Sequence, residues 1–162
     1  MNIILIGMPG CGKSTVGVLL AKSLLCDFID TDLIIQNTYK MSLCDMIAKD
    51  GIEVFKQKEN EVLAAISCNN CVIATGGSAV YGKKAMQNLK AHGKVIYLKL
   101  SPDAIEKRIE NIKTRGIAMR DGCTIAQLYA ERAPLYEQYA DITVDCHGLS
   151  AEECVNTITK SL

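Results

Sequence analysis

The sequence predicts an α/β fold in which helices cover both faces of a parallel sheet of five strands. Short apolar runs rich in β-branched residues alternate with longer segments of helical period, which is the pattern of βα units. Asn2–Ile6, Cys71–Thr75 and Lys94–Leu100 are nearly continuous apolar runs, as expected of central strands buried on both faces. The chain has 162 residues, 49% of them hydrophobic, so we expect one domain, residues 1–162, around a single core.

The predicted elements follow one another without a repeat, a linker or a low-complexity segment. Strands are predicted at Asn2–Ile6, Cys26–Asp30, Cys71–Thr75, Lys94–Leu100 and Asp141–Asp145. Helices are predicted at Lys13–Leu25, Thr31–Tyr39, Ser42–Asp50, Ile52–Ser67, Lys83–His92, Pro102–Lys113, Thr124–Tyr139 and Ser150–Ser161. Residues 113–123 contain two glycines and three basic residues without a clear period, which indicates a mobile lid.

Composition argues against several classes of partner. The 18 basic and 18 acidic residues balance, so the chain lacks the basic surface that nucleic acids select. The first residues have no basic segment, and their apolar run is too short for a signal peptide or a membrane span, so we expect a cytoplasmic protein without a membrane partner. No long exposed apolar stripe is left over, which favours a monomer.

The eight cysteines are scattered, mostly inside apolar segments, and we expect them to be free thiols. Cys68 and Cys71 have C-x-x-C spacing, which is also found in metal and redox sites. No second cysteine pair or histidine pair completes a zinc site, and Asn69-Asn70 is typical of a turn between a helix and a strand.

The segment from Gly7 to Thr15 predicts a cradle for the phosphates of a nucleoside triphosphate. It matches G-x-x-x-x-G-K-[ST] and stands between an apolar strand and an amphipathic helix, the context that the motif requires. Its glycines let successive backbone N–H groups turn towards phosphate oxygens. We expect a point charge from Lys13 and a magnesium ligand from Ser14. The ATP-binding residues predicted here are Gly10, Cys11, Gly12, Lys13, Ser14 and Thr15.

Polar residues at the carboxyl ends of two other strands predict an acceptor pocket. Asp30 and Asp32 flank Thr31 after the second strand, where doubly wound sheets bind their ligands, although Asp32 could also be only a helix cap. Gly76 and Gly77 follow the third strand and allow close approach of a ligand, although an ordinary tight turn would also explain them.

The helix predicted from Ile52 carries a carboxylate, Glu59, on its apolar stripe. Lys56 lies three residues before Glu59, so the two could form a local ion pair. We favour the interpretation that Glu59 orients Lys56 to bind an anion.

The motifs together resemble those of the shikimate kinase family. In order they are the phosphate loop, D-T-D, F-K-x-K-E, I-A-T-G-G, a basic lid and E-R-A-P-L-Y, and they extend from Ile3 to about Asp145. The resemblance implies a three-layer P-loop kinase fold with a five-stranded parallel sheet. It also implies transfer of the γ-phosphoryl group from ATP, with Mg²⁺, to the 3-hydroxyl of shikimate.

The resemblance implies roles for the acceptor-side residues of this chain. Asp32 would bind the acceptor's hydroxyls and accept a proton, and Gly76 and Gly77 would contact the acceptor through the backbone. Arg132 would grip the acceptor's carboxylate, and Lys56 would be its partner.

The resemblance also implies roles on the nucleotide side. Asp30 would lie near magnesium and act through a water molecule, and Arg108 would pack on the adenine. Arg115 would reach the phosphates from the lid. Lys13, Asp32 and Arg115 would be the catalytic residues.

The chain departs from the family pattern mainly on the acceptor side. Lys56 stands where the family has an arginine, Ser78 replaces a third glycine, Ile47 replaces an aromatic residue, and Gly116 replaces a proline after the lid arginine. A lysine offers a point charge instead of a bidentate fork. Two alternatives therefore stay open: a related kinase for another small polyol, and a nucleotide-binding regulatory module with little turnover.

Overall fold

The first strand lies at the centre of the sheet and leads directly into the glycine-rich loop. A computed structural model describes residues 1–109 and 116–162. The strands are β1 (Asn2–Ile6), β2 (Asp27–Asp30), β3 (Cys71–Ala74), β4 (Gly93–Lys99) and β5 (Ile142–Asp145). The helices are α1 (Lys13–Leu24), α2 (Thr31–Tyr39), α3 (Leu43–Asp50), α4 (Ile52–Ala64), α5 (Lys83–His92), α6 (Pro102–Ile109), α7 (Ile125–Tyr139) and α8 (Ala151–Ser161).

The five strands form one parallel sheet in the order β2-β3-β1-β4-β5. Ile4 of β1 pairs with Ile73 of β3 on one side and with Val95 of β4 on the other. The predicted α/β class and the five-stranded parallel sheet are therefore confirmed. Side chains of the three central strands are almost completely buried, as their apolar runs predict.

The helices form two layers because the chain crosses the sheet in both directions. The crossover through α1 runs from β1 to β2, and the crossover through α5 runs back past β1 to β4. Right-handed crossovers in opposite directions place their helices on opposite faces of a sheet. Accordingly, α8 packs against α1, and α4 packs against α5.

Two local features differ from the prediction. The helix expected to reach Ser67 ends at Ala64, because the chain must turn before β3 and Asn70 takes a left-handed conformation, with φ 56°, to do so. A short 3₁₀ turn, Ala79–Tyr81, follows the glycine pair and was not predicted. The predicted end of the sixth helix, at Lys113, lies outside the described residues.

Gly116, the first described residue of the predicted lid, lies against the start of α3. Gly116 has φ +62°, and a Cβ on it would lie 2.5 Å from the backbone nitrogen of Cys44. A proline cannot take this positive φ, so the glycine that replaces the family's proline suits this conformation. The lid's mobility stays a prediction.

Within residues 1–109 and 116–162, we find no helix that combines the length and the apolar character needed to span a bilayer.

We predict that Gly116→Ala lowers the free energy of unfolding by roughly 1–3 kcal/mol, because the new Cβ combines an unfavourable φ with a backbone clash. Gly122→Ala is the matched control, since Gly122 also has positive φ, +77°, but a Cβ there would meet nothing within 4 Å. Urea unfolding of both variants measures the difference. Equal destabilisation would contradict the contact between Gly116 and α3.

Candidate active site

A cavity of about 330 Å³ opens where β1, β2 and β3 end. Because these strands are parallel and adjacent, the loops that follow them meet at one edge of the sheet. Ten predicted site residues line the cavity: Gly10, Gly12, Lys13, Ser14, Thr15, Asp32, Gly76, Gly77, Arg108 and Arg132. The volume lies at the lower end of the range of about 300–1,000 Å³ that is usual for small-molecule sites.

The glycine-rich loop has the conformation that its sequence predicts. Gly10 and Gly12 have φ of 77° and 101°, which side chains disfavour. The Lys13 ammonium donates hydrogen bonds to the carbonyl oxygens of Gly7, at 2.7 Å, and Met8, at 2.8 Å. The loop therefore wraps around its own lysine, next to the amino end of α1.

Arg108 contacts the same loop from outside, and Cys11 belongs to the loop itself. Arg108 reaches back from α6, and its Nη1 lies 3.3 Å from the carbonyl oxygen of Cys11. The side chain of Cys11 is buried, with Sγ 3.7 Å from Lys13 Nζ, and it does not line the cavity. Any contact of Cys11 with a ligand would therefore be made by its backbone.

Ser14, which lines the cavity, is hydrogen-bonded to Asp30. The Ser14 hydroxyl donates to Asp30 Oδ2 at 2.6 Å. Asp30 Oδ1 accepts from the backbone N–H of Asp32 at 3.0 Å, so Asp30 is the residue that caps α2. The alternative in which Asp32 is only the helix cap is wrong, because Asp32 lies in the first turn and lines the cavity.

Glu59 lies at the base of the cavity, where its carboxylate is almost completely buried. The Ser78 hydroxyl donates to Glu59 Oε2 at 2.5 Å. Oε1 has no hydrogen-bond partner within the part of the chain that the structure describes. A Cβ on Gly76 would lie 2.6 Å from Oε1 and 2.9 Å from Asp32 Oδ1. Gly76 thus lets two carboxylates converge on one point.

Burial raises the pKa of Glu59 to about 7. The hydrogen bond from Ser78 opposes this shift, the negative charge of Asp32 adds to it, and the positive charges of Arg132 and Lys13 oppose it. Near neutral pH, Glu59 can therefore either hold a proton or accept a hydrogen bond from a ligand.

Arg132 is brought to the cavity by α7, which begins with a capping box between Thr124 and Gln127. Its side chain is only 1% exposed. Nη2 donates to the carbonyl oxygen of Ala118 at 2.6 Å, and Nε lies 3.4 Å from the hydroxyl of Tyr81. Nη1 lies beside Gly77, where a Cβ would come within 3.0 Å of it. The guanidinium is thus held by the lid segment and by Tyr81.

Tyr136, one turn after Arg132, contacts the glycine pair Gly76-Gly77. Its hydroxyl donates to the carbonyl oxygen of Gly77 at 2.6 Å. Its ring stacks on that of Tyr97, with centroids 5.1 Å apart. This contact fixes the peptide of Gly77 at the cavity wall.

The predicted pairing of Lys56 with Glu59 is wrong. The Lys56 ammonium lies 3.4 Å from Glu53 and 4.1 Å from the centroid of the Tyr81 ring. It lines a neighbouring cavity of about 420 Å³, not the one that contains Asp32 and Arg132. On α4, positions 53 and 56 share an exposed edge, whereas position 59 turns into the core.

Two further predicted positions have different outcomes. Ile47 does not line the cavity. The apolar side chains on the cavity wall include those of Leu43 and Phe55. Arg115 lies outside the described residues.

The sequence pattern indicated for Glu59 only the role of orienting Lys56, and it indicated no site role for Ser78 or Tyr136. The signal for Glu59 was present, since a carboxylate on an apolar stripe needs a partner. Ser78 was noted only as a missing glycine, and its hydroxyl supplies that partner. Tyr136 falls within the E-R-A-P-L-Y segment, but no sequence pattern shows which carbonyl it reaches.

None of the cysteines forms a disulfide bond. All eight are free thiols, with Cys11, Cys71, Cys146 and Cys154 buried. Across residues 1–109 and 116–162, no group of three or more histidine, cysteine, aspartate or glutamate side chains is arranged to hold a metal ion. The role of the C-x-x-C pair stays a hypothesis.

We predict that Glu59→Gln makes stability less dependent on pH. The folded pKa of Glu59, about 7, lies above its ordinary value of 4.5, so between these values the unfolded state ionises first. The free energy of unfolding of the wild type therefore falls as pH rises through this window. The variant, which has no such group, should gain about 2–3 kcal/mol relative to the wild type between pH ~4.5 and ~8.

Urea unfolding at several pH values measures this effect. Glu61→Gln is the control, because Glu61 lies two residues away on the exposed side of α4. The prediction is contradicted if Glu59→Gln and the wild type show the same slope of stability against pH.

Comparison with known proteins agrees with the arrangement of the cavity. A family model described as shikimate kinase matches residues 9–162. The shikimate kinase of Francisella tularensis subsp. novicida is 36% identical, over 99% of this chain and 94% of the relative. The shikimate kinase of Acinetobacter baumannii, solved in complex with shikimate, superposes with a TM-score of 0.87 at 29% identity, over 99% of this chain and 91% of that one.

The shikimate kinase of Aquifex aeolicus gives a TM-score of 0.84 at 34% identity, over 99% of this chain and 95% of that one. Both the family model and the curated relative span nearly the whole chain, from the phosphate loop to α8. The chain therefore belongs to the shikimate kinase family, and it is a phosphotransferase that acts on an alcohol group.

Proposed function

We propose that this enzyme transfers the γ-phosphoryl group of ATP to the 3-hydroxyl of shikimate. The observation that carries the proposal is that one cavity joins the phosphate loop, the carboxylate of Asp32 and the guanidinium of Arg132. The phosphate loop can thus bind the phosphates of the donor, Asp32 can bind a hydroxyl of the acceptor, and Arg132 can bind a carboxylate of the acceptor. The complex of the Acinetobacter baumannii enzyme with shikimate supports this choice of acceptor.

The acceptor would lie between the two carboxylates and Arg132. Asp32 and Glu59 converge over Gly76, and the unpartnered Oε1 of Glu59 can accept a hydrogen bond from a hydroxyl. Arg132 can bind a carboxylate through its fork of N–H donors, and Gly77 lies beside it. A molecule with vicinal hydroxyls at one end and a carboxylate at the other fits these groups.

The nucleotide would lie on the glycine-rich loop. Lys13 would exchange its bonds to the loop carbonyls for the phosphates, and Arg108 would pack near the base. We also assign a catalytic role at the phosphates to Arg115. Ser14 and Asp30 offer hard oxygen ligands 2.6 Å apart, a donor set that suits Mg²⁺. When bound, Mg²⁺ would neutralise charge on the phosphate oxygens.

The chemical step depends on positioning and on charge neutralisation. Asp32 would orient the acceptor hydroxyl and accept its proton as the new P–O bond forms. The bond between the γ-phosphorus and the β–γ bridging oxygen would break at the same time, with ADP as the leaving group. Lys13 and Arg115 would stabilise the charge on the transferred group. Apolar side chains of Leu43 and Phe55 form part of the cavity wall and would help to exclude water.

We retain the cytoplasmic location and the monomeric state as predictions.

We predict that shikimate stimulates magnesium-dependent ADP release, with a kcat on the order of 1–100 per second, as for other kinases. Asp32→Asn should lower kcat by roughly 10²–10⁴-fold, because the hydroxyl loses its proton acceptor. A coupled assay for ADP measures both. Asp50→Asn is the control, since Asp50 pairs with Lys58 and does not line the cavity.

A panel of other small polyols, sugars and nucleosides tests the acceptor. If another compound is turned over and shikimate is not, the proposed acceptor is wrong although the phosphotransferase class stands. If no compound stimulates ADP release but nucleotide still binds, the alternative of a regulatory module is favoured.

A further inference from the structure

Tyr81 contacts both Arg132, which the proposed function assigns to the acceptor's carboxylate, and Lys56, which lines the neighbouring cavity. The residue ends the 3₁₀ turn Ala79–Tyr81, directly after the glycine pair. Its ring centroid lies 4.1 Å from Lys56 Nζ and 5.3 Å from Arg132 Cζ. Two cations that belong to different cavities thus approach the same aromatic ring.

The hydroxyl of Tyr81 helps to orient the buried guanidinium of Arg132. It accepts from Arg132 Nε at 3.4 Å and donates to Glu131 Oε1 at 2.5 Å. With Nη2 held by the carbonyl oxygen of Ala118, two of the three guanidinium nitrogens are fixed, and the third lies at the cavity wall. Rotation of the guanidinium would break both bonds, so the position of the phenol determines where Nη1 points.

Burial raises the pKa of Tyr81, and the neighbouring Glu131 adds to this effect, while Arg132 opposes it. The phenol therefore remains protonated at neutral pH and continues to donate to Glu131. The hydrogen-bonded chain from Glu131 through Tyr81 to Arg132 is complete in this state.

The Lys56 ammonium contacts the ring of Tyr81 and the carboxylate of Glu53. The Glu53 side chain is 75% exposed and lies on the outer edge of α4. Aromatic faces attract ammonium groups, and they do so more strongly where water is partly excluded. The Lys56 side chain is only 18% exposed, so its ammonium lies against the ring instead of in open solvent.

We propose that Tyr81 is a positioning residue for carboxylate recognition, which orients Arg132 through its hydroxyl and holds the ammonium of Lys56 through its ring. The inference rests on the proposed function, since it concerns how the same site binds the acceptor. It assigns to Tyr81 the geometric control that a lysine at position 56 cannot supply alone.

Two substitutions separate the hydroxyl from the ring. Tyr81→Phe keeps the ring but removes the bond to Arg132, and we expect the Kd for shikimate to rise about 3–10-fold. Tyr81→Leu removes both contacts, and we expect a rise of about 10–50-fold. Calorimetry without nucleotide measures Kd, and steady-state kinetics should show KM for ATP and kcat within about twofold of wild type.

A matched pair elsewhere on the surface provides the control. Lys58 Nζ lies 4.7 Å from the centroid of Tyr39, away from both cavities. Tyr39→Phe and Tyr39→Leu should leave the Kd for shikimate unchanged. ADP binding confirms that each variant is folded, and Tyr81→Phe keeps the test valid if Tyr81→Leu does not fold.

An uncharged acceptor analogue distinguishes carboxylate recognition from a general structural role. The Tyr81 variants should bind the carboxamide of shikimate as well as the wild type does, because the carboxylate is the group that Arg132 and Lys56 attract. Equal weakening for the acid and the amide would overturn the proposal.

A double-mutant cycle tests the part played by Lys56. If Lys56 acts through the ring, Lys56→Ala should weaken shikimate binding less in the Tyr81→Leu background than in the wild type. Full additivity would overturn this part of the proposal.

The outcomes also separate this inference from the proposed function. Wild-type protein that does not bind shikimate overturns the acceptor, and with it the role of Tyr81. Wild-type protein that binds shikimate, together with a Tyr81→Leu variant of equal affinity, overturns the role of Tyr81 alone.

Discussion

The parallel pairing of β1 with β3, and of β3 with β2, is the constraint on which the site depends. It brings the ends of three strands, and the loops that follow them, to one edge of the sheet. The glycine-rich loop, the D-T-D segment and the glycine pair lie far apart in sequence, and each follows one of these strands. Displacement of any of the three strands would remove one side of the cavity.

The cavity combines buried charges of opposite sign. Lys13 and Arg132 are buried cations, and Glu59 is a buried carboxylate whose pKa lies near 7. Each is held by protein groups: Lys13 by loop carbonyls, Arg132 by Ala118 and Tyr81, and Glu59 by Ser78. Such support positions the charges before a ligand arrives, which is what phosphoryl transfer requires of the protein.

The order of strands and helices could be read from the sequence because it depends on local periodicity and on turn residues. The phosphate loop and Asp32 could also be predicted, since each directly follows a strand. The contacts of Lys56 could not be predicted, because positions 53, 56 and 59, on successive turns of one helix, face different surroundings that tertiary packing alone decides. For the same reason no pattern predicts that Tyr81 and Tyr136 reach Arg132 and Gly77.

The hydrogen bonds of Lys13 to Gly7 and Met8 have a consequence for nucleotide affinity. The ammonium donates to two carbonyl oxygens, so the loop's own backbone supplies hydrogen-bond acceptors for its charge. An incoming phosphate must compete with these oxygens, and binding exchanges one set of partners for another. Because part of the attraction between lysine and phosphate would be spent on this exchange, the net gain in binding free energy from Lys13 would be smaller than for a lysine without such partners.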